Sequence, residues 1–322
     1  MAPRVSVVIP VYNVGKQLET CLQSVVGQTF TDLEIVVVND GSTDDSPQIV
    51  ARFARQDPRI VIIDRPNEGV AYARKHGVEA ARGEYIQYLD GDDFLEPDAI
   101  ELLYRKAVDE QADMVVLPFW LESENRKKAS NPTPGTYDSV SFFYSLAFCR
   151  NYWAVWSFLH KRSLYAGVHV EKGLSYGEDA YLASQLTYFA RKIVVLESHP
   201  LLHYVIHSGS ATLSGFSEKK ARDIELYPQL QRRFYADKPT YRQVEKALAN
   251  VELGAIVLLL SKRWFGEARR LALRAMEIEK QFPGLLHQRP ARHYRKLLKA
   301  YARSEFWGKL MARYYLFTRK IK

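Results

Sequence analysis

Two acidic turns each follow a short apolar run: Asn39-Asp40-Gly41-Ser42-Thr43-Asp44-Asp45 comes after residues 34–38, and Asp90-Gly91-Asp92-Asp93 after 85–89. In an open α/β sheet, ligands bind in the crevice beyond the carboxyl ends of the strands, so both turns stand where a polar ligand would sit. The three carboxylates of Asp90, Asp92 and Asp93 repel one another unless a cation lies among them. Asp90-x-Asp92 on a glycine turn offers hard oxygen ligands of the kind that Mg²⁺ or Mn²⁺ takes while bridging a protein carboxylate to a diphosphate. The competing reading of an isolated DGDD is a solvated turn.

The surroundings add to the pattern. Pro10-Val11-Tyr12-Asn13 ends the first apolar run, Asn67-Glu68-Gly69 follows the third, Ala73-Arg74 comes a helical turn later, and Gly177-Glu178-Asp179 opens a further helical stretch. This ordered set resembles the family 2 inverting glycosyltransferases of the bacterial surface-polysaccharide type, which have the GT-A fold, and the resemblance runs over residues 5–212. It implies a nucleotide-sugar donor whose base lies against Pro10, Val11 and Tyr12, with Asp40 accepting a hydrogen bond from a pyrimidine N–H. Arg74 would stand near base and phosphates, Asp90 would face the ribose or the metal, Asp92 would be the principal metal ligand, and Asp93 would support them.

Inverting transfer needs a base on the face of the sugar opposite the leaving diphosphate, and Asp179 matches the family's base. Glu178 would orient it or bind acceptor. An acidic pair in a first helical turn is also explained by the helix dipole alone. Tyr204-Val205-Ile206-His207, followed by Ser208-Gly209-Ser210-Ala211-Thr212, resembles the family's mobile Tyr-Arg-x-His segment with Val205 where Arg is frequent. His207 would then carry the metal or phosphate contact. Trp156-Ser157-Phe158-Leu159 resembles the acceptor-side Trp-Asn-Lys-Leu segment, which implies Trp156 against an acceptor sugar; core packing explains a tryptophan equally well.

The function implied is metal-dependent transfer of a single sugar, from a UDP-sugar, to a hydroxyl of a lipid-linked or cell-surface glycan, with Mn²⁺ or Mg²⁺ as cofactor. One alternative is a catalytically silent sugar-nucleotide-binding or scaffold protein on the same fold. Another is a sugar nucleotidyltransferase, although Pro10-Val11-Tyr12-Asn13 is not the Gly-rich phosphate loop that such an enzyme places after its first strand.

Placing these residues requires alternating strands and helices. Strands are predicted at 5–9, 34–38, 60–64, 85–89 and 113–117, and helices at 15–26, 43–55, 70–81 and 97–110, with Ser42-Thr43-Asp44-Asp45 capping the second helix. Residues 120–137 read as a loop or hairpin, and helical spacing dominates after Ser217. The expected fold is α/β: a mostly parallel GT-A sheet flanked by helices over 1–215, with a nucleotide half at 1–118 and an acceptor half at 119–215. A helical extension follows at 216–322.

The 322 residues, 47% of them hydrophobic, are enough for a catalytic domain plus an appendage. Cys21 and Cys149 are the only cysteines and have no neighbours at metal-ligand spacing, which argues against a disulfide framework or a zinc site and suits a reducing compartment. The apolar run at 5–9 is too short for a signal peptide, and the one at 251–260 is too short to span a bilayer. Charge is uneven: residues 287–322 hold eleven Lys and Arg against Glu305 alone. Aromatic and aliphatic residues recur among these cations at helical spacings. Basic amphipathic helices of this kind lie at anionic membrane interfaces, so the expected location is cytoplasmic, peripheral on the inner face of the membrane. Packing on the protein itself is the alternative. Nucleic acid is not expected as a partner, since no recognisable binding module accompanies the basic tail.

Overall fold

The computed structural model describes residues 2–207, 209–210 and 215–317. The chain forms two compact units, Met1–Phe142 with Trp153–Ser214, and Phe143–Tyr152 with Gly215–Lys322.

In the first unit the elements run β1 (Val5–Val11), α1 (Gln17–Val26), β2 (Leu33–Asp40), α2 (Ser46–Ala54), β3 (Ile60–Arg65), α3 (Val70–Ala80), β4 (Tyr85–Tyr88), β5 (Phe94–Leu95), α4 (Ala99–Asp109), β6 (Met114–Val116), β7 (Phe119–Ser123), β8 (Arg126–Ala129) and β9 (Gly135–Tyr137). The chain then passes through α5 (Ser139–Ala147) and returns for β10 (Phe158–Lys161), α6 (Glu178–Phe189), β11 (Ile193–Val195) and β12 (Leu202–Val205).

Eight strands make the main sheet in the order β3-β2-β1-β4-β10-β6-β11-β9. β3, β2, β1 and β4 are mutually parallel, whereas β10 runs antiparallel between β4 and β6. Every residue of β1 and β2 is buried, as expected of parallel strands covered on both faces, and this is why their sequences read as continuous apolar runs. β3 lies at the edge and is largely exposed. A second sheet, β5-β12-β7-β8, includes the β7–β8 hairpin within the segment read as loop or hairpin.

Two packing devices fix the nucleotide half. Gly77 brings α3 so close to the sheet that a Cβ there would overlap Val8 Cγ1. Glu34, 3% exposed, accepts from the Ser6 hydroxyl at 2.6 Å and from the Arg82 amide at 2.5 Å, while the Ser6 hydroxyl accepts from the Gly83 amide at 2.8 Å. Burial pushes the Glu34 carboxyl up, but Ser6 and Arg82 outweigh it and hold the carboxyl below its ordinary range.

Two expected helix boundaries are corrected. The first helix starts at Gln17 rather than Gly15, and the second at Ser46 rather than Thr43. Asp45 at the second start makes no side-chain cap bond; the neighbouring polar residues bond across to the loop after β1, as described below.

The second unit contains α7 (Glu218–Tyr235), α8 (Tyr241–Ser261), α9 (Ala268–Gln281), α10 (Arg295–Arg303) and α11 (Glu305–Phe317), each packed on the next in sequence. Leu253, Leu259 and Leu260 of α8 are fully buried. Asn250, also buried, donates to the carbonyls of Ala147 at 2.9 Å and Arg289 at 2.8 Å. Among the described residues no helix is long and apolar enough to cross a membrane. Thr318 to Lys322, the end of the basic segment, lie outside the described residues.

Candidate active site

The loops after β1 and β2 are stitched together. The Asn13 side-chain Oδ1 accepts from the Thr43 amide at 2.8 Å, the Ser42 hydroxyl accepts from the Asn13 backbone amide at 3.1 Å, and Asp44 accepts from the Gly15 amide at 2.9 Å and from the Ser46 amide at 3.0 Å. These bonds offset the burial that would raise the Asp44 carboxyl and keep it below its usual range. Asp40, 3% exposed, accepts from the amides of Glu68 at 2.8 Å and Gly69 at 2.9 Å, one on each oxygen, and so clasps the loop that leads into α3.

An open cleft of about 690 Å³ lies over these carboxyl ends, lined by Pro10, Val11, Tyr12, Asp40, Asp90, Asp92 and His207 among others. Tyr12 is 51% exposed, which leaves its ring available to a flat ligand. Asn13, Gln17, Asp44, Asn67 and Tyr204 also line the cleft, although none was singled out as a site residue from the sequence. Asn13 and Asn67 stand in the quoted motifs, and polar side chains just after strands are the signal that could have found them.

The Asp90-Gly91-Asp92-Asp93 turn closes with the Asp93 amide donating to the Asp90 carbonyl at 3.0 Å. Asp93 is 1% exposed and accepts from the Val205 amide at 2.8 Å, tying the turn to β12. Burial, then Asp90 and Asp92, push its carboxyl well above the ordinary range. Asp92 is raised as well, by burial and by Asp90, against the pull of His207. His207 Nε2 lies 3.0 Å from Asp92 Oδ2, while its Nδ1 accepts from the Gly209 amide at 3.2 Å. An Nδ1 that accepts leaves the ring proton on Nε2, directed at Asp92.

Among the described residues no group of three or more His, Cys, Asp or Glu side chains converges as a metal cage. The donor set present, Asp90 and Asp92 with His207 beside them, still fits a hard cation of the Mg²⁺ or Mn²⁺ type, which commonly takes one or two carboxylates and completes its shell with phosphate and water. Burial first, and after it the neighbouring carboxylates, push Asp92 and Asp93 up, and a cation among them would relieve the second of these causes.

Arg74 lies deeper, 3% exposed and with its guanidinium 5.6 Å from the centre of the Tyr88 ring. Its Nη2 donates to Asp90 Oδ1 at 2.8 Å and its Nη1 to Asp179 Oδ1 at 2.5 Å. Asp179 and Glu178 occupy the first turn of α6. Burial raises the Asp179 carboxyl, opposed by Arg74 and reinforced by Asp90; burial and Asp179 push Glu178 up to about 8. Arg74 does not line the main cleft and instead joins its acidic wall to the start of α6.

Trp156 also lies away from the main cleft. It is 6% exposed, stacked on Tyr204 with centroids 5.2 Å apart and edge-on to Phe119 at 4.7 Å. It supports the back of Tyr204, which does line the cleft. Of the segment after His207, Ser208, Ala211 and Thr212 lie outside the described residues.

The family model for glycosyl transferase family 2 matches residues 6–170. The chain belongs to glycosyl transferase family 2. Among relatives, the glycosyltransferase GlyA of Streptococcus pneumoniae serotype 4 is 35% identical over 218 residues, 64% of this chain and 31% of GlyA. EpsH of Bacillus subtilis is 36% identical over 218 residues, 65% of this chain and 62% of EpsH. The matches therefore span less than two-thirds of either relative's length. The crystal structure of S. aureus TarS 1–349 in complex with UDP-GlcNAc superposes with a TM-score of 0.64 at 16% identity, covering 98% of this chain and 92% of that one, a likeness of fold. The helical C-terminal region is thus part of the shared coverage, together with the GT-A-type sheet.

Proposed function

We propose that the chain is an inverting, divalent-cation-assisted glycosyltransferase that moves one sugar from a nucleotide donor, a UDP-sugar, to a hydroxyl of a lipid-linked or cell-surface glycan. It would work as a peripheral protein at the cytoplasmic face of a membrane. The observation that carries this reading is the Arg74 guanidinium, which holds Asp90 of the cleft with one nitrogen and Asp179 of α6 with another. A donor-side carboxylate and a candidate base are thereby fixed on one rigid fork. UDP-GlcNAc in the TarS complex supports a nucleotide sugar as the ligand class.

Pro10, Val11 and Tyr12 form the wall for the base, and the Asp40 clasp presents the adjoining loop backbone. Asp90, Asp92 and His207 would hold Mn²⁺ or Mg²⁺, which when bound neutralises the diphosphate. Asp179 takes the proton from the acceptor hydroxyl as that oxygen bonds to the anomeric carbon; the bond from this carbon to the diphosphate oxygen breaks, and the nucleoside diphosphate leaves with the bonding pair. With Arg74 on Oδ1, the other Asp179 oxygen receives the proton. Glu178 and the Tyr204 ring, backed by Trp156, would border the acceptor. Boundaries near 215 for the catalytic portion, with halves at 1–118 and 119–215, belong to the same proposal.

The test is nucleotide release across a panel of UDP- and GDP-sugars, with and without Mn²⁺, using lipid-linked oligosaccharide acceptors. Acceptor-dependent UDP release with a product of inverted anomeric configuration is expected. Donor binding with no turnover on any acceptor would instead establish the silent-binding alternative.

A further inference from the structure

α11 carries two apolar stripes. One is closed against the rest of its unit: Ala312 and Tyr315 are each 4% exposed, Gly308 is buried so tightly that a Cβ would overlap the Tyr301 ring, and the Tyr315 hydroxyl donates to the His293 carbonyl at 2.9 Å. The other stripe faces solvent. Phe306 is 71% exposed, Trp307 45%, Leu310 49% and Tyr314 52%. At helical spacing these four fall within an arc of roughly 100°. Exposed Lys309 and Arg313 lie along one border of the arc, and Arg303 of α10 sits over the Trp307 ring at 5.5 Å.

Packing a helix on its unit needs one apolar stripe, and the closed one serves. We propose that the outer stripe of α11 is a docking face for an anionic lipid bilayer. Charge selects the occupant. Residues 287–322 hold eleven Lys and Arg against Glu305, so a second copy seated here would bring two strongly basic faces together. Aromatic rings alternating with cations match the boundary between anionic headgroups and acyl chains, where rings insert shallowly and cations stay in the headgroup layer. The inference rests on the reading of a peripheral protein with a lipid-linked acceptor and deepens it by naming the helix face that meets the lipid.

The experiment is co-sedimentation of the full chain with vesicles of phosphatidylcholine alone and of phosphatidylcholine with phosphatidylglycerol, at low and high salt. One variant carries Phe306→Ser, Trp307→Ser, Leu310→Ser and Tyr314→Ser; a second carries Lys309→Gln and Arg313→Gln, which leaves the apolar stripe in place at the cost of the exposed Lys309–Glu305 pair. The full chain is expected to pellet with the phosphatidylglycerol vesicles. The serine variant should partition about tenfold or more weakly and the glutamine variant several-fold more weakly, with salt reducing but not abolishing binding by the unaltered chain. Undiminished binding by the serine variant, or equal binding to phosphatidylcholine alone, overturns the proposal. So does a dimer that the serine changes dissociate without any vesicle binding. Circular dichroism and unfolding midpoints confirm that the variants are folded. Nucleotide release from soluble donor in vesicle-free buffer is read in parallel and should be the same for all three proteins. Vesicle binding without turnover would remove the catalytic reading and leave this one standing, and turnover without vesicle binding would do the reverse.

Discussion

Arg74 Nη1 lies 2.5 Å from Asp179 Oδ1 although the two residues are 105 positions apart in the chain. The same guanidinium reaches Asp90 Oδ1 at 2.8 Å, so its fork spans two carboxylates at once. A planar fork fits that geometry and an ammonium does not. Replacing Arg74 by Ala leaves two carboxylates facing each other in a mostly buried space. The expected stability loss is about 3 kcal/mol, with transfer reduced by roughly 10²-fold or more. Arg74→Lys should recover most of the stability and little of the rate. Chemical denaturation alongside initial rates checks the split; full activity in the lysine variant would sink the bridging role.

Asp179→Asn removes the candidate base while keeping its shape. Donor affinity is expected to change by less than about threefold and the transfer rate to fall by about 10²-fold or more, the scale of a lost general base. Calorimetric titration of the donor and single-turnover transfer separate these quantities. Equal losses in both would place Asp179 in donor binding instead.

The pH dependence follows from the same carboxyl. A base works deprotonated, and burial together with Asp90 raises the Asp179 carboxyl above its ordinary range, so the rate should climb with pH on a limb displaced upward from the usual aspartate position near ~4. Glu178 is pushed up to about 8 by burial and by Asp179, an interaction that is mutual. Glu178 is therefore neutral while Asp179 titrates, and Glu178→Gln, which keeps that position neutral, should leave the limb in place. A kcat–pH profile of both proteins checks this, and a limb that moves to lower pH in Glu178→Gln would show that Glu178 carries its charge before Asp179 does.

Asp92→Ala should abolish activation by Mn²⁺ and weaken donor binding, because the diphosphate loses its counterion's protein ligand. Binding isotherms for UDP with and without Mn²⁺ are the measurement. An unchanged Mn²⁺ effect would transfer the metal role away from this turn.

Fold stability should carry a signature of His160. This ring is fully buried between Tyr88 and Tyr165, and its pKa falls to about 4 through burial, despite the nearby Phe158 carbonyl. Its folded value therefore lies below its unfolded value near ~6.5, and the unfolded chain binds the proton more readily between the two. Stability is then lost as pH falls from about 6.5 toward 4, with a slope of at most ~1.4 kcal/mol per pH unit from this group. Urea midpoints at pH 7 and pH 5 should converge in His160→Phe relative to the parent. An unaltered gap would show that other groups set the acid sensitivity.

The parts of the fold legible in the sequence are those with a simple physical code. β1 and β2 are buried on both faces, and their apolar runs announced them. α3 and α4 kept their expected places to within a residue or two. The polar loop after β2 was less transparent: Ser42 and Asp44 read as a local cap, and Asp44 does accept from the Ser46 amide, yet the two also accept from the amides of Asn13 and Gly15 in the loop after β1, contacts that no local pattern encodes. The antiparallel insertion of β10 was also hidden, since four residues carry no direction signal. Within the site, the acidic turns and the Gly-Glu-Asp segment stood out by type and spacing. The ion pairs of Arg74 did not, because a basic residue on a helix looks the same whether it meets a phosphate or two carboxylates, and Trp156 gave no sign that its face would be taken by Tyr204.

Gly77 does not itself line the cleft, yet α3 can lie against Val8 only because that position has no side chain. Arg74 sits one turn earlier on the same helix, so the depth of the helix sets how far the guanidinium reaches. Even a methyl group at position 77 would lift the helix and lengthen both ion pairs together, a change that hydrogen-bonding neighbours could not correct one at a time. The reach of the Arg74 guanidinium is thus calibrated by an atom that is missing.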